Sequence, residues 1–108
     1  MKIAILGKHE SPATQYVLDE PIPEDKMTDY NWMRSVCQAW LYEGLIIEKE
    51  HIDLYVEGFT PMTIAFLREW EELREFIGRI TRHTVKMTLT LHHYQPKTGE
   101  YRPQVWRA

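Results

Sequence analysis

The segment from Met62 to Ile80 constrains the fold of this chain more than any other. Its large apolar residues recur at intervals of three and four, while most of its charged residues occupy the other directions. This spacing is typical of an amphipathic helix that lays one apolar stripe on a core. The sequence GFTP at residues 58–61 precedes it and predicts a turn, a capping threonine and a proline in the first helical turn. Such a helix needs a sheet or another helix to cover its stripe.

Three further segments are predicted to be strands. Residues 2–6 form a short apolar run that Gly7 ends, which is typical of a buried strand. Residues 51–56 are rich in β-forming side chains, and residues 85–94 alternate in polarity. We therefore expect one sheet to contain all three segments.

The C-terminal residues predict a β-hairpin. Turn-forming residues fill positions 95–100, and residues 101–106 alternate again. Pro103 lacks a backbone donor, so we expect this last strand to lie at an edge of the sheet.

Two more helices are expected in the first half of the chain. Ser11 followed by Pro12 is typical of a helix start, and we predict a short helix from there to Val17 or Leu18. An acidic loop with two prolines follows at residues 19–26. A second helix with a wide apolar face is predicted from Thr28 to about Tyr42, with Gly44 placed to end it and residues 45–47 in a turn or very short strand.

This order of elements predicts a single α/β domain over residues 1–108. We expect a small, mainly parallel, Rossmann-like sheet with helices on both faces and the antiparallel hairpin at its end. A chain of 108 residues buries about two thirds of its unfolded surface, which is enough for a core without a disulfide or metal.

The cysteine count and the hydropathy of the chain indicate its cellular compartment. Cys37 is the single cysteine and cannot form an internal disulfide; its place among apolar helix residues predicts a small buried side chain. The N-terminal residues do not read as a secretory signal, and no apolar run approaches the roughly 20 residues of a membrane span. A cytoplasmic protein without a membrane partner is the expectation.

Charge is divided unevenly along the chain. Residues 1–78 contain seven Lys and Arg against fifteen Asp and Glu, whereas residues 79–108 contain six against one. Such asymmetry is consistent with an anion-binding tail, with a self-complementary subunit contact, or with two solvated faces of one domain. The overall acidity argues against nucleic acid as a partner.

The carboxyl ends of the predicted parallel strands should meet at one rim, where open α/β sheets bind ligands. The helix caps there would aim free backbone N–H groups at an anion, and the aromatic residues would stack on a ring. Glu10 and Glu57 lie on the same loops and oppose a purely phosphate-binding site, although carboxylates accept hydrogen bonds from ribose hydroxyls. The predicted ligand contacts are Gly7, Lys8, His9, Ser11, Gly58, Phe59, Thr60, His92 and Tyr94.

Other kinds of site have less support. His92 and His93 are consecutive in a strand and point to opposite faces, so a metal site is not expected there. His51 and Asp53 share a face, but at the start of a strand they are read as solvated residues. Neither a GxxxxGK[ST] loop nor a GxGxxG turn occurs, which removes the main support for nucleotide hydrolysis or dinucleotide oxidoreduction.

The leading hypothesis is therefore non-catalytic binding, for sensing or sequestration, of a small phosphorylated and nucleotide-derived ligand. We expect no cofactor, and we expect a homo-oligomer that closes two rims together. One alternative is a protein interaction or oligomerisation module without a small ligand. Another is a small phosphodiesterase-like or ring-opening enzyme that uses His9, His92 or His93 as general acid or base.

Overall fold

The structure combines a five-stranded sheet with two α-helices. It is a computed structural model that describes residues 1–7, 10–43, 51–56, 58–81 and 86–107. A short 3-10 turn at Glu24–Lys26 precedes the first helix. The strands are β1 Lys2–Leu6, β2 Gln15–Leu18, β3 His51–Val56, β4 Thr88–Gln95 and β5 Glu100–Trp106, and the helices are α1 Tyr30–Tyr42 and α2 Thr60–Thr81.

The strands are ordered β2-β1-β3-β4-β5. The first four are parallel to their neighbours, and β5 pairs with β4 in the antiparallel sense. The prediction of a small, mainly parallel α/β sheet that ends in an antiparallel hairpin is confirmed. Pro103 lies in β5, at the edge of the sheet, where its missing N–H leaves no neighbouring strand without a partner.

The predicted helix after Ser11 is wrong, because this segment forms β2. The Ser11 hydroxyl accepts a hydrogen bond from the backbone N–H of Ala13 at 3.2 Å, which closes a local turn without starting a helix. The Thr14 N–H then donates to the carbonyl of Lys2 at 2.9 Å, and the residues that follow pair with β1. Pairing with a neighbouring strand outweighs the local capping signal of the Ser-Pro pair.

The Rossmann-like prediction also placed helices on both faces of the sheet, and this part of it is not confirmed. Buried side chains of α1 and α2 pack with one alternating set of strand residues in a single core, which includes Ile3, Leu54 and Leu91. On the opposite face, Ala13 from the β1–β2 connection packs on Ala4 and Tyr55. The described helices thus cover one face, because the segment expected to cover the other is a strand. We call this second face the open face.

Helix α2 supplies much of the core. Phe66 and Trp70 are fully buried, and the Phe66 ring lies 6.1 Å from that of Trp40 on α1. The amphipathic prediction for this segment is confirmed. Within the described chain, no helix is both long enough and apolar enough to cross a membrane.

Helix α1 begins two residues later than predicted and is capped by Asp29. The Asp29 carboxylate accepts a hydrogen bond from the Trp32 N–H at 3.0 Å, which satisfies one free donor of the first turn. The predicted stop at Gly44 and the predicted turn or strand at residues 45–47 lie outside the described residues, as does the first predicted residue of β4, Val85.

Arg34 joins the two helices. Its Nε atom donates to Glu69 Oε1 at 2.8 Å, and its Nη2 atom donates to Glu72 Oε1 at 2.8 Å. The Glu69 side chain is only 4% exposed, compared with 28% for Arg34 and 50% for Glu72. The Glu69 carboxylate of this ion pair is therefore buried, and the pair links α1 to α2.

Cys37 is completely buried, as predicted. Burial, followed by the negative charge of Glu69, raises the pKa of its thiol to about 12. Because the thiolate is the reactive form, we expect no reaction with Ellman's reagent at pH 8 in the native state and release of one equivalent of thionitrobenzoate after denaturation. Fast labelling of the native protein would contradict the buried position of this thiol.

Candidate functional site

Two clefts open at the carboxyl ends of the parallel strands. The first has a volume of about 630 Å³ and lies beside the ends of β3 and β4 and the turn of the hairpin. Its lining residues are Glu10, Val56, Gly58, His93, Tyr94, Gly99 and Tyr101. The second has a volume of about 530 Å³, lies beside the ends of β1 and β2, and has Gly58 in common with the first.

The second cleft is lined by both apolar and acidic side chains. Leu6, Leu18 and Phe59 contribute apolar side chains, whereas Asp19 and Glu20 contribute carboxylates. These charges oppose an anionic ligand. The first cleft is lined by one described carboxylate, that of Glu10, and is therefore the less acidic of the two.

The rim brings together several of the residues predicted from sequence. Gly7 and Phe59 line the second cleft, Tyr94 lines the first, and Gly58 lines both. Their convergence follows from the parallel order of β1, β3 and β4. Whether they contact a ligand stays a prediction.

Among the other predicted contacts, the described residues Ser11, Thr60 and His92 do not line either cleft. Ser11 is engaged in its turn with Ala13, and Thr60 is the first residue of α2. The His92 ring is stacked on Tyr55 on the open face. Lys8 and His9 lie outside the described residues.

Backbone geometry explains the glycine at the end of β3. Gly58 has φ of 101°, in the region that side chains with a Cβ rarely adopt. This residue lets the chain turn from β3 into α2 while forming a wall of both clefts.

An aromatic cluster on the open face was not predicted. The rings of Tyr55 and His92 are stacked with centroids 4.5 Å apart and planes 13° apart. Tyr101 meets Tyr55 edge-on at 5.1 Å and lies 5.4 Å from Tyr94, so it links this stack to the first cleft. Tyr55 and His92 stack because they are paired on neighbouring strands. The cluster can therefore be predicted only when the register between β3 and β4 is known.

Asp53 is the polar centre of the same face. Its Oδ1 atom lies 2.8 Å from His92 Nε2 and 3.2 Å from His51 Nε2, and His51 Nδ1 lies 2.7 Å from the Thr88 hydroxyl. An ionised carboxylate can only accept, so both Nε2 atoms carry a proton and donate. His51 and Asp53 are therefore parts of a hydrogen-bonded cluster, whereas the sequence suggested only solvated residues at a strand entry.

The cluster changes the acidity of its members. Burial by itself would raise the pKa of the Asp53 carboxyl, but the hydrogen bond from His92 and the charge of His51 outweigh it and hold this pKa below its ordinary value. Burial, and then the charge of Asp53, raises the pKa of Tyr55. The tyrosine thus stays neutral at neutral pH.

The lowered pKa of Asp53 predicts a pH dependence of stability. A carboxyl whose folded pKa lies below its unfolded value stabilises the fold above about pH 4 and loses this contribution as the pH falls through the folded pKa. We expect the unfolding free energy to fall more steeply below about pH 4 in the wild type than in Asp53→Asn. Urea titrations at several pH values would measure this, and parallel curves would contradict it.

Within the described ranges, no group of three or more His, Cys, Asp or Glu side chains is arranged to hold a metal ion. Comparison of the chain with protein-family models, curated proteins and solved structures gives no significant match.

Proposed function

We propose that this protein senses or sequesters a small phosphorylated, nucleotide-derived ligand in the first cleft. The observation that carries the proposal is the cleft of about 630 Å³ at the carboxyl ends of β3 and β4, lined by two tyrosines. This volume lies in the range of small-molecule sites, roughly 300–1,000 Å³. Tyr94 is 47% exposed, so a large part of its ring is available to stack on a base.

Two other features support a nucleotide over a plain aromatic compound. Helix α2 begins two residues after Gly58, so the positive end of its dipole lies close to the cleft and favours a phosphate. Glu10 lines the cleft, where its carboxylate would accept hydrogen bonds from ribose hydroxyls.

Thermal unfolding with a panel of nucleoside monophosphates and their parent nucleosides tests the proposal. A ligand at one hundred times its Kd should stabilise the fold by about 2.7 kcal/mol, which raises the Tm measurably. Tm values unchanged by every compound in the panel would contradict it.

Removal of the Tyr94 ring should weaken binding of the stabilising nucleotide. Loss of one stacked base costs about 1–3 kcal/mol, so we expect Tyr94→Ala to raise the Kd by about 5- to 150-fold in calorimetric titrations. Tyr30→Ala is the matched control, because Tyr30 is also exposed but lies on α1, outside both clefts. Equal losses in the two variants would argue against this cleft as the site.

The proposal includes a homo-oligomer that closes two clefts together. The uneven charge of the chain and the exposed Val105 on the edge strand β5 support a contact between copies. These features equally favour the alternative of an interaction module without a small ligand. Sedimentation velocity separates the two: the first predicts a dimer strengthened by nucleotide, and the second predicts an assembly that nucleotide does not change.

A further inference from the structure

The pair formed by Asp53 and His92 is an organised ionisable group that ligand binding in the cleft does not use. The His92 Nε2–H donates to Asp53 at 2.8 Å, and one face of its ring packs on Tyr55. The side chains of His92 and Asp53 are 19% and 21% exposed. The imidazole is thus fixed in position and orientation while part of it still meets solvent.

The second ring nitrogen of His92 is available for chemistry. Since Nε2 carries the proton that Asp53 accepts, the neutral ring has its lone pair on Nδ1. Among the described residues, no hydrogen bond involves His92 Nδ1. An imidazole oriented by a carboxylate through one nitrogen, with the other nitrogen open, is the arrangement of a general base.

The full charges around the pair balance, so they do not repel an anionic substrate. Asp53 is the one Asp or Glu among the described strand residues of the open face, and two imidazoles donate to it. Lys2 is level with Asp53 on the neighbouring strand and is exposed. The other titratable side chains on this side of the described strands are tyrosines, and burial and the charge of Asp53 raise the pKa of Tyr55.

We propose that His92 is a general base, with Asp53 as its positioning residue, for hydrolysis of a phosphodiester by water on the open face. Nδ1 accepts a proton from water as the water oxygen forms a bond to phosphorus. The phosphorus–oxygen bond to the leaving group breaks, and the leaving oxygen takes its electron pair and then the proton from the imidazolium. The products are a phosphomonoester and an alcohol. Only the choice of a phosphodiester rests on the proposed function, and the acid–base role rests on the pair itself.

Hydrolysis of bis(4-nitrophenyl) phosphate by the full chain tests the inference, with release of 4-nitrophenol followed from pH 5 to 9. The rate should rise with pH and then level off, since the base acts unprotonated. We expect His92→Gln and Asp53→Asn each to lower the rate by about 100-fold or more. Asp25→Asn, at an exposed carboxylate of the 3-10 turn, should leave it unchanged. Circular dichroism would confirm that each variant is folded.

A spectroscopic measurement tests the positioning role without any substrate. Long-range proton–nitrogen correlation spectra of the wild type at alkaline pH should show neutral His92 with its proton on Nε2, and Asp53→Asn should show a mixture of tautomers. A wild type no faster than buffer, a full rate in His92→Gln, or a His92 proton on Nδ1 would each overturn the inference.

The outcomes for the two proposals are distinguishable. Stabilisation by a nucleotide that depends on Tyr94, without hydrolysis, overturns the general base and leaves the binding function intact. Hydrolysis that depends on His92, without stabilisation by any nucleotide in the panel, supports the general base and contradicts the cleft as a nucleotide site.

Discussion

Replacing Phe66 with alanine is expected to lower the free energy of unfolding by about 4 kcal/mol. The Phe66 side chain is fully buried in the core shared by both helices, where its ring packs beside Trp40. Its removal leaves a cavity that the surrounding helices and strands fill only in part. Urea denaturation followed by circular dichroism would measure the loss.

Phe76 provides a matched control on the same helix. It is 43% exposed, so Phe76→Ala removes the same atoms from a position largely in water. We expect a change of about 0.5 kcal/mol or less. Similar losses in the two variants would mean that Phe66 is not on the buried side of α2.

Breaking the ion pair between the helices should have the second largest effect. Arg34→Met leaves the Glu69 carboxylate in a buried position without its cationic partner. We expect a loss of about 3 kcal/mol, at the lower end of the usual range for a broken buried pair, because Arg34 itself is partly exposed. The same urea titration at pH 7 would measure it.

Two further variants separate the buried bond from the exposed one. Replacing both partners, in Arg34→Met with Glu69→Met, removes the unpaired charge and should recover most of the loss. Glu72→Gln removes only the charge of the half-exposed partner and should cost less than about 1 kcal/mol. A double variant as unstable as Arg34→Met alone would show that the cost does not come from the unpaired Glu69 charge.

Most of the architecture follows from local sequence patterns. The periods of α1 and α2 and the polarity of β1, β3, β4 and β5 are strong over five or more residues, so packing and local preference agree. Pro103 further indicates the sheet edge because it lacks a hydrogen that a central strand must donate.

The strand β2 shows where this reasoning fails. It contains only four residues, too few for a clear period, and the preceding Ser-Pro pair is a common helix start. Its conformation depends on hydrogen bonds with β1, which are distant in sequence and leave no local signal. The expectation of a helix on the open face fails for the same reason, because the segment predicted to form that helix is β2.

The candidate site was predictable in part for a related reason. The sequence predicts Gly7, Gly58, Phe59 and Tyr94 at the rim because they end predicted strands or lie in the turns after them, and strand ends of a parallel sheet converge. The contacts of Asp53 with His51 and His92 depend on the register between β3 and β4. The sequence contains the alternation that places these side chains on one face, but not the offset that brings them within hydrogen-bonding distance.

Gly58 forms a wall common to both clefts, which bears on how mutational phenotypes should be assigned. A side chain at this position would meet open space and also force an unfavourable backbone, so one exchange would disturb two cavities and the entry to α2 together. Tyr94 and Phe59 each line a single cleft. Substitutions at Tyr94 or Phe59 would therefore alter one cleft without altering the lining of the other.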